Sequence, residues 1–368
     1  MTTSQDSALD SASVQENILI GNATKALDDR RDAGLEGLVG GLDSVIIATE
    51  TDHLVPAVYD LLRYTGLACT EAFFDADSQS YVLSVPGSAS LIVCSRDISS
   101  NPFAGTNKAR LPLPLPNTRL ESFVFSTTDI KEYVAIQKRR GIKFLTPSPI
   151  VSDYFSSIQT VPSPYTGNSI GFIEWQDEMR TYAPTGATTV SPDITKPEYR
   201  HLKNISTLDH AATRVRAQDR TAAILEFLSL TNYHYDFSVH VKSQNSITSV
   251  ARRNKEDFAM VFTSGITPYT SDEASGPTEK FIRNYGTRVH HMAFQTERIE
   301  ETVAQLKKEG MEFLLELVGS DAEGLKQIFS EPSPHTLIVN EYIHRYGNFD
   351  GFFTRSNVEK LTDATAKQ

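Results

Sequence analysis

The sequence predicts an α+β protein made of two copies of one unit. Three observations carry this. Short strand-like runs alternate with amphipathic helices in the same order in both halves. Residues 119–145 lie on residues 288–314 without a gap, at a constant offset of 169 (288 − 119). A long polar, proline-containing stretch, about 177–199, separates the copies. The expected organisation is a mobile or loosely packed arm over 1–38, an N-terminal domain over 39–180 and a C-terminal domain over 200–368.

The chain has 368 residues, enough for two modest domains. Hydrophobic residues make up 39% and charged residues 22%, an ordinary globular balance. The net charge is −11, which gives no general reason to bind nucleic acid or anionic lipid. No apolar run approaches the ~20 residues that span a bilayer, and the N-terminus lacks a basic-then-apolar leader pattern. Two cysteines, Cys69 and Cys94, support neither a disulfide framework nor a cysteine-rich zinc site. A reducing, cytoplasmic setting is expected.

In chain order, residues 1–38 are rich in Ser, Thr, Ala, Asp and Gln and show little periodicity. Residues 41–48 form a buried strand pattern. The helix after it starts at Thr51 or Asp52 and buries Leu54, Val58, Leu61 and Leu62. Strands follow over 81–85, 90–94 and 120–125, then a helix over 129–140 with Gly141 as its terminator. In the second half, strands are expected over 208–215, 234–240, 246–251, 258–262, 289–294, 325–329 and 336–343. Helices are expected over 220–228, into Asn284, over 297–309 and, last, over 349–361.

The repeat singles out the residues with chemistry. Arg119/Arg288, Phe125/Phe294, Thr127/Thr296, Ile130/Ile299, Val134/Val303, Lys138/Lys307, Gly141/Gly310 and Phe144/Phe313 are identical pairs. Leu42-Asp43-Ser44 matches Leu208-Asp209-His210 at an offset of 166 (210 − 44). On these offsets His210 falls on Ser44, His291 on Ser122, and Glu341 near Glu174. One buried histidine is usually a core residue. Two at matching places on paired modules, with a strand carboxylate third, form the facial ligand set of non-haem Fe(II) oxygenases. His210, His291 and Glu341 are therefore expected to bind one metal ion. His290 neighbours His291 on a strand, so alternation turns it to the other face.

The segments Leu208-Asp209-His210, Val289–Thr296, Gln327–Pro332, Glu341–Arg345 and Gly347-Asn348-Phe349 resemble the 4-hydroxyphenylpyruvate dioxygenase family in order and spacing, over roughly residues 40–361. That family has the vicinal-oxygen-chelate fold, in which βαβββ modules pair into open barrels. The resemblance implies two tandem domains of this kind, the N-terminal one without metal. It also implies Fe(II) on His210, His291 and Glu341, a homodimer, and oxidative decarboxylation of an arylpyruvate-type 2-oxo acid by O2 with hydroxylation of the same molecule. Catalytic roles are implied for Gln327 and His290. Substrate contacts are implied for Ser249, Ser264, Phe329, Asn348, Phe349 and Phe353. The aromatic start of the last helix, between Gly347 and Gly351, suggests a lid over the iron.

The sequence departs from the family pattern at several contacts. His290 stands where glutamine is usual, so it is either a substrate-side donor or a packed surface residue. The family's Asn-Glu-Pro falls on Ser264-Gly265-Ile266. A helix glutamine has no clear counterpart, with Thr278 and Glu279 nearby, and a Gly-Phe-Gly before Gly347 is missing. Action on a different 2-oxo acid, or extradiol cleavage of a catechol, are the enzymatic alternatives. A binding protein that kept the fold is the non-enzymatic one.

Overall fold

The computed structural model describes residues 3–368 apart from 77, 348 and 350. Its first element, α1 (Thr3–Asp32), is a helix. Two βαβββ modules follow, then two more. The first has β1 (Val39–Ala48), α2 (Leu54–Tyr64), β2 (Ala68–Asp75), β3 (Ser78–Ser84) and β4 (Ser90–Arg96). The second has β5 (Arg119–Thr127), α3 (Ile130–Arg139), β6 (Ile150–Val151), β7 (Phe155–Gln159) and β8 (Ser169–Trp175), and a short β9 (Thr188–Thr189) comes after it. The third has β10 (Ile205–Arg214), α4 (Arg220–Leu230), β11 (His234–Val241), β12 (Ser246–Arg252) and β13 (Ala259–Gly265). After α5 (Pro277–Tyr285), the fourth has β14 (Arg288–Thr296), α6 (Ile299–Lys308), β15 (Val318–Ser320), β16 (Leu325–Phe329) and β17 (Val339–Arg345). The last helix is α7 (Arg355–Ala364).

Each half is one sheet. The N-terminal order is β6-β7-β8-β5-β1-β4-β3-β2-β9, and the C-terminal order is β11-β12-β13-β10-β14-β17-β16-β15. In both, the first strands of the paired modules run antiparallel at the centre, β1 with β5 and β10 with β14. Each also pairs in parallel with the last strand of its own module. The helices begin and end as their residues dictate. Asp129 accepts from the Glu132 amide (2.8 Å) at the start of α3. Gly141 and Gly310 close α3 and α6 at φ +86° and +92°, where a side chain is disfavoured.

One apolar core crosses the two halves, including Phe125, Tyr133, Phe172, Phe227, Met292 and Phe294. At the junction two buried arginines exchange bonds. Arg288 Nη2 donates to the Thr118 carbonyl (2.7 Å), and Arg119 Nη2 to those of Thr166 and Thr287 (3.4 Å each).

Three expectations change. The segment expected as a mobile arm contains α1, packed on the C-terminal half from Val14 onward. Leu19 and Ala23 enter the core, and Arg30 Nη1 donates to the carbonyls of Leu228, Thr231 and Tyr233 (3.2, 2.6 and 2.8 Å). Its apolar positions are split between buried Leu19 and exposed Val14, Ile18 and Ile20, so no stripe shows in the sequence. The linker stretch joins the N-terminal sheet beyond residue 180. Thr188 and Thr189 pair with Phe74 and Phe73, and the Tyr182 hydroxyl donates to Asp43 (2.9 Å). The last helix starts at Arg355, capped by the Thr354 hydroxyl on the Asn357 amide (3.3 Å), which leaves Phe349, Phe352 and Phe353 on the preceding loop.

Candidate metal centre

The strand ladders bring the two histidines and the glutamate together. Across β10 and β14, His210 lies opposite Ala293 and Ala212 opposite His291. Across β14 and β17, Ala293 lies opposite Glu341. The three side chains therefore rise from three adjacent strands on one face, with ligand atoms all within 4.8 Å of one another. Both imidazoles point Nε2 at the same carboxylate oxygen, Glu341 Oε2, at 3.1 Å for His210 and 3.2 Å for His291. His210 is 0% and Glu341 1% exposed.

His210 is held from behind. Its Nδ1 lies 2.7 Å from Asp209 Oδ1, and the Asp209 carboxylate accepts from both Arg345 Nη atoms (2.5 and 3.1 Å) and from Gln295 Nε2 (3.3 Å). Burial works to raise the Asp209 pKa, but Arg345 and His210 outweigh it and hold the carboxyl well below its usual range. An ionised Asp209 fixes the proton on Nδ1 and turns the Nε2 lone pair to the centre. Without metal, burial disfavours the His210 cation, but Glu341 and Asp209 overcome it and push the pKa up to about 9.

His291 is set by its neighbour, and here strand alternation fails. Ala212 pairs with His291 but Thr213 pairs with Val289, so His290 is the extra residue of a β-bulge. The bulge brings the two rings together, with Nδ1 atoms 2.8 Å apart. His290 Nε2 lies 2.8 Å from Gln368 Oε1, which accepts only from an N–H. His290 Nδ1 is then the acceptor, His291 donates from Nδ1, and the His291 Nε2 lone pair is free. Burial, then Arg214, holds His290 well below its ordinary pKa, and burial, then His290 and His210, does the same for His291. Both rings are neutral at pH 7.

Glu341 is oriented in turn. Gln327 Nε2 donates to Oε1 (2.5 Å), and Asn357 of α7 donates to Gln327 Oε1 (3.0 Å). Among the described residues no lysine or arginine pairs with Glu341. His210 Nε2 is buried, and its 3.1 Å contact with Glu341 Oε2 is not aligned as a hydrogen bond. An orphaned imidazole nitrogen, a second free Nε2 and a buried carboxylate oxygen aimed at one point form a donor set that a divalent cation completes.

The cavity beside these groups is lined by Arg214, Thr248, Val261, Thr263, His291, Gln327, Phe329, Glu341 and Phe353, and by Val358, Leu361 and Thr362 of α7. It has about 40 Å³ of space for the centres of water-sized molecules. Phe329 lies 4.6 Å from the His291 ring, and Phe352 and Phe353 lie 5.3 and 5.2 Å from the His210 ring, centroid to centroid.

The expected contact residues divide. Gln327, Phe329 and Phe353 line the cavity. Phe349 packs against Ala293, Leu325 and Ile343. Asn348 lies outside the described residues. Ser249 and Ser264 face the other way, because Thr248 of β12 and Val261 and Thr263 of β13 take the cavity face. Ser249 accepts from Arg220 Nη1 (3.2 Å) and from Ser238 (2.9 Å), and Ser264 donates to the Gly265 carbonyl (2.9 Å). His290 is neither at the surface nor a lining residue of the cavity, but sits behind His291. Asp209, Arg214, Asn357 and Phe352 were not marked as site residues by the sequence reading. Asp209 could have been found from its place next to His210.

The repeat is corrected at its third position. Ser122 pairs with Ser169 where His291 pairs with Val339, so Glu341 corresponds to Gly171, not to the region of Glu174. Ser44 and Ser122 do match His210 and His291 by register. The bulge also repeats: Ile46 pairs with Ser122 and Ile47 with Leu120, which leaves Glu121 in the place of His290.

No family model matches the chain, and no curated protein matches its sequence. Solved structures do match it. A triply substituted 4-hydroxymandelate synthase from Streptomyces coelicolor superposes with a TM-score of 0.67 at 16% identity, covering 90% of this chain and 99% of that one. A fusion of a xylose isomerase-like TIM barrel with 4-hydroxyphenylpyruvate dioxygenase gives 0.60 at 14% identity, covering 96% of this chain and 58% of the other. The fold is therefore two tandem vicinal-oxygen-chelate domains, each a mixed sheet with helices.

Proposed function

We propose that the chain is an Fe(II)-dependent dioxygenase that oxidatively decarboxylates a 2-oxo acid and oxidises the remainder of the same molecule. The observation that carries this reading is the buried convergence of His210, His291 and Glu341. The names of the two structural neighbours, a 4-hydroxymandelate synthase and a 4-hydroxyphenylpyruvate dioxygenase fusion, support it.

His210 Nε2, His291 Nε2 and Glu341 Oε2 would hold the metal. Fe(II) bound there supplies O2 activation and coordination positions for the carboxylate and keto oxygens of a 2-oxo acid. The protein's own work is positioning and exclusion. Asp209 and Arg345 fix the His210 ring, the His290–Gln368 pair fixes the His291 tautomer, and Gln327 with Asn357 fixes Glu341. Phe329, Phe352 and Phe353 wall the centre from water. About 40 Å³ holds a few waters rather than an aryl substrate. Entry therefore requires the wall made by Phe353 and α7 to move, which is the lid role in another form.

The test is anaerobic loading with Fe(II), then O2 in the presence of a panel of aryl and alkyl 2-oxo acids. One iron per chain with coupled O2 uptake and CO2 release is expected. Absence of iron binding, or O2 uptake with catechols alone, overturns the proposal.

A further inference from the structure

Arg214 is on the face of β10 that carries His210, four residues further along, and lines the same cavity as His291, Gln327 and Glu341. Four residues of extended strand span about 13 Å, so its backbone is well removed from the metal ligand on its own strand. Only 4% of the residue is exposed. Nη1 donates to the Thr278 hydroxyl (3.1 Å) and Nη2 to that of Thr365 (3.0 Å), and the guanidinium carbon lies 5.0 Å from the centre of the Phe281 ring.

Among the described residues no carboxylate pairs with it. Burial pulls its pKa down to about 9. Two hydroxyls and a ring face are thin compensation for a buried cation, which costs several kcal/mol unless a counter-charge is supplied. Of the other arginines buried to 5% exposure or less, Arg220 and Arg30 pair with Glu16 and Glu36, and Arg119 and Arg288 sit at the junction of the halves and are tied to backbone carbonyls. None of these four lines this cavity. On the strand register Arg214 corresponds to Ala48 (214 − 166), so the cation is absent from the half that lacks the ligand set.

We propose that Arg214 binds an anionic group at the end of the substrate remote from its 2-oxo acid, so that the preferred substrate is a 2-oxo acid carrying a second carboxylate. The proposal rests on the metal-centre reading above and narrows its substrate class. A carboxylate presented to the guanidinium fork supplies the missing counter-charge through charge-assisted bonds. A neutral distal group leaves the cation desolvated and unpaired.

The test compares 4-carboxyphenylpyruvate with phenylpyruvate, titrated anaerobically by calorimetry into Fe(II)-loaded protein, so that binding is read without turnover. Wild type is expected to bind the diacid about 30-fold more tightly, the range of a charge-assisted hydrogen-bonded pair. Arg214→Gln removes that preference and leaves phenylpyruvate affinity within about 3-fold. Arg214→Lys keeps the charge but not the fork and retains a reduced preference of about 5-fold. Thermal unfolding reports whether each variant is folded. If Arg214→Gln does not fold, the lysine variant decides, because a purely structural arginine leaves the diacid-to-monoacid ratio unchanged. Equal affinities in wild type, or a preference undiminished in every variant that folds, overturns the proposal while the metal reading stands. Failure of the protein to bind iron overturns both.

Discussion

The two halves share a ladder and differ in what stands on it. Ser44, Ser122 and Gly171 occupy the register positions of His210, His291 and Glu341. The backbone that could present a metal site is present twice, bulge included, and the donors only once. The N-terminal half has also filled the space. A Cβ on Gly171 would meet Val124 Cγ2 at 2.9 Å and Gln159 Cγ at 3.4 Å, whereas Val124's counterpart in the C-terminal half is Ala293. At the bulge, buried Glu121 pairs with Arg96 (2.6 Å), while His290 Nδ1 stands 2.8 Å from His291 Nδ1. An equivalent backbone therefore gathers two histidines and a glutamate in one half and is a packed buttress in the other, according to side-chain volume and donor type.

The sharpest way to break this contrast is to remove a donor. His210→Ala, His291→Ala or Glu341→Ala should abolish iron binding by metal analysis. Oxygen uptake should fall at least ~10³-fold, beyond the 10–100-fold of outer residues. Full activity in any of them would end the metal reading.

The next effect is electrostatic and concerns metal-stripped protein. His210, pushed up to about 9, lies above its unfolded value of about 6.5, so the stability it adds is complete below about 6.5 and is lost as pH rises through about 9. The gain is about 3 kcal/mol at most. His290 and His291 are depressed, so their contribution is present above about 6.5 and is lost as pH falls below it. Denaturant unfolding of stripped protein should peak near neutrality, and added Fe(II) should flatten the alkaline limb by replacing the His210 proton.

Asp209→Asn should weaken iron affinity about 10–100-fold with the ligands in place, measured by competition with a chelator. Unchanged affinity would reduce Asp209 to a packing role. In the other half, Gly171→Glu together with Ser44→His and Ser122→His should not create a second site. It should cost about 1–3 kcal/mol by overpacking against Val124 and Gln159. Two metals per chain would show that donors alone separate the halves. The smallest effect belongs to α1. Glu16 bonds to Arg220 (3.1 Å), His240 (3.3 Å) and the Tyr235 hydroxyl, and Glu16→Ala should lower stability by about 1–3 kcal/mol with iron binding unchanged.

The sequence was most informative where identity and period coincide. The run from Arg119 and its copy from Arg288 fixed β5–α3 and β14–α6, and two serines under two histidines located the centre. It was least informative where a ladder departs from simple alternation. The bulge that puts His290 behind His291 leaves no local signal, because an extra residue looks like any other in an extended run. Glu341's counterpart was misplaced by three residues because the offset between the halves is not constant through the loops before the last strands, and Ser249 and Ser264 came from the family pattern rather than from the alternation that turns them away. Helix α1 escaped because, among its described side chains, the buried ones are few and several exposed ones are also apolar.

By itself the sequence determined the duplication and the α+β character and singled out His210, His291 and Glu341, which the structure brings together, since these depend on composition and period. Only the tertiary structure decided which lone pairs meet, which histidines burial holds neutral and which cation lines their cavity. Those depend on strand register and burial, which bring together groups from positions 209 to 368 through contacts that no local pattern encodes.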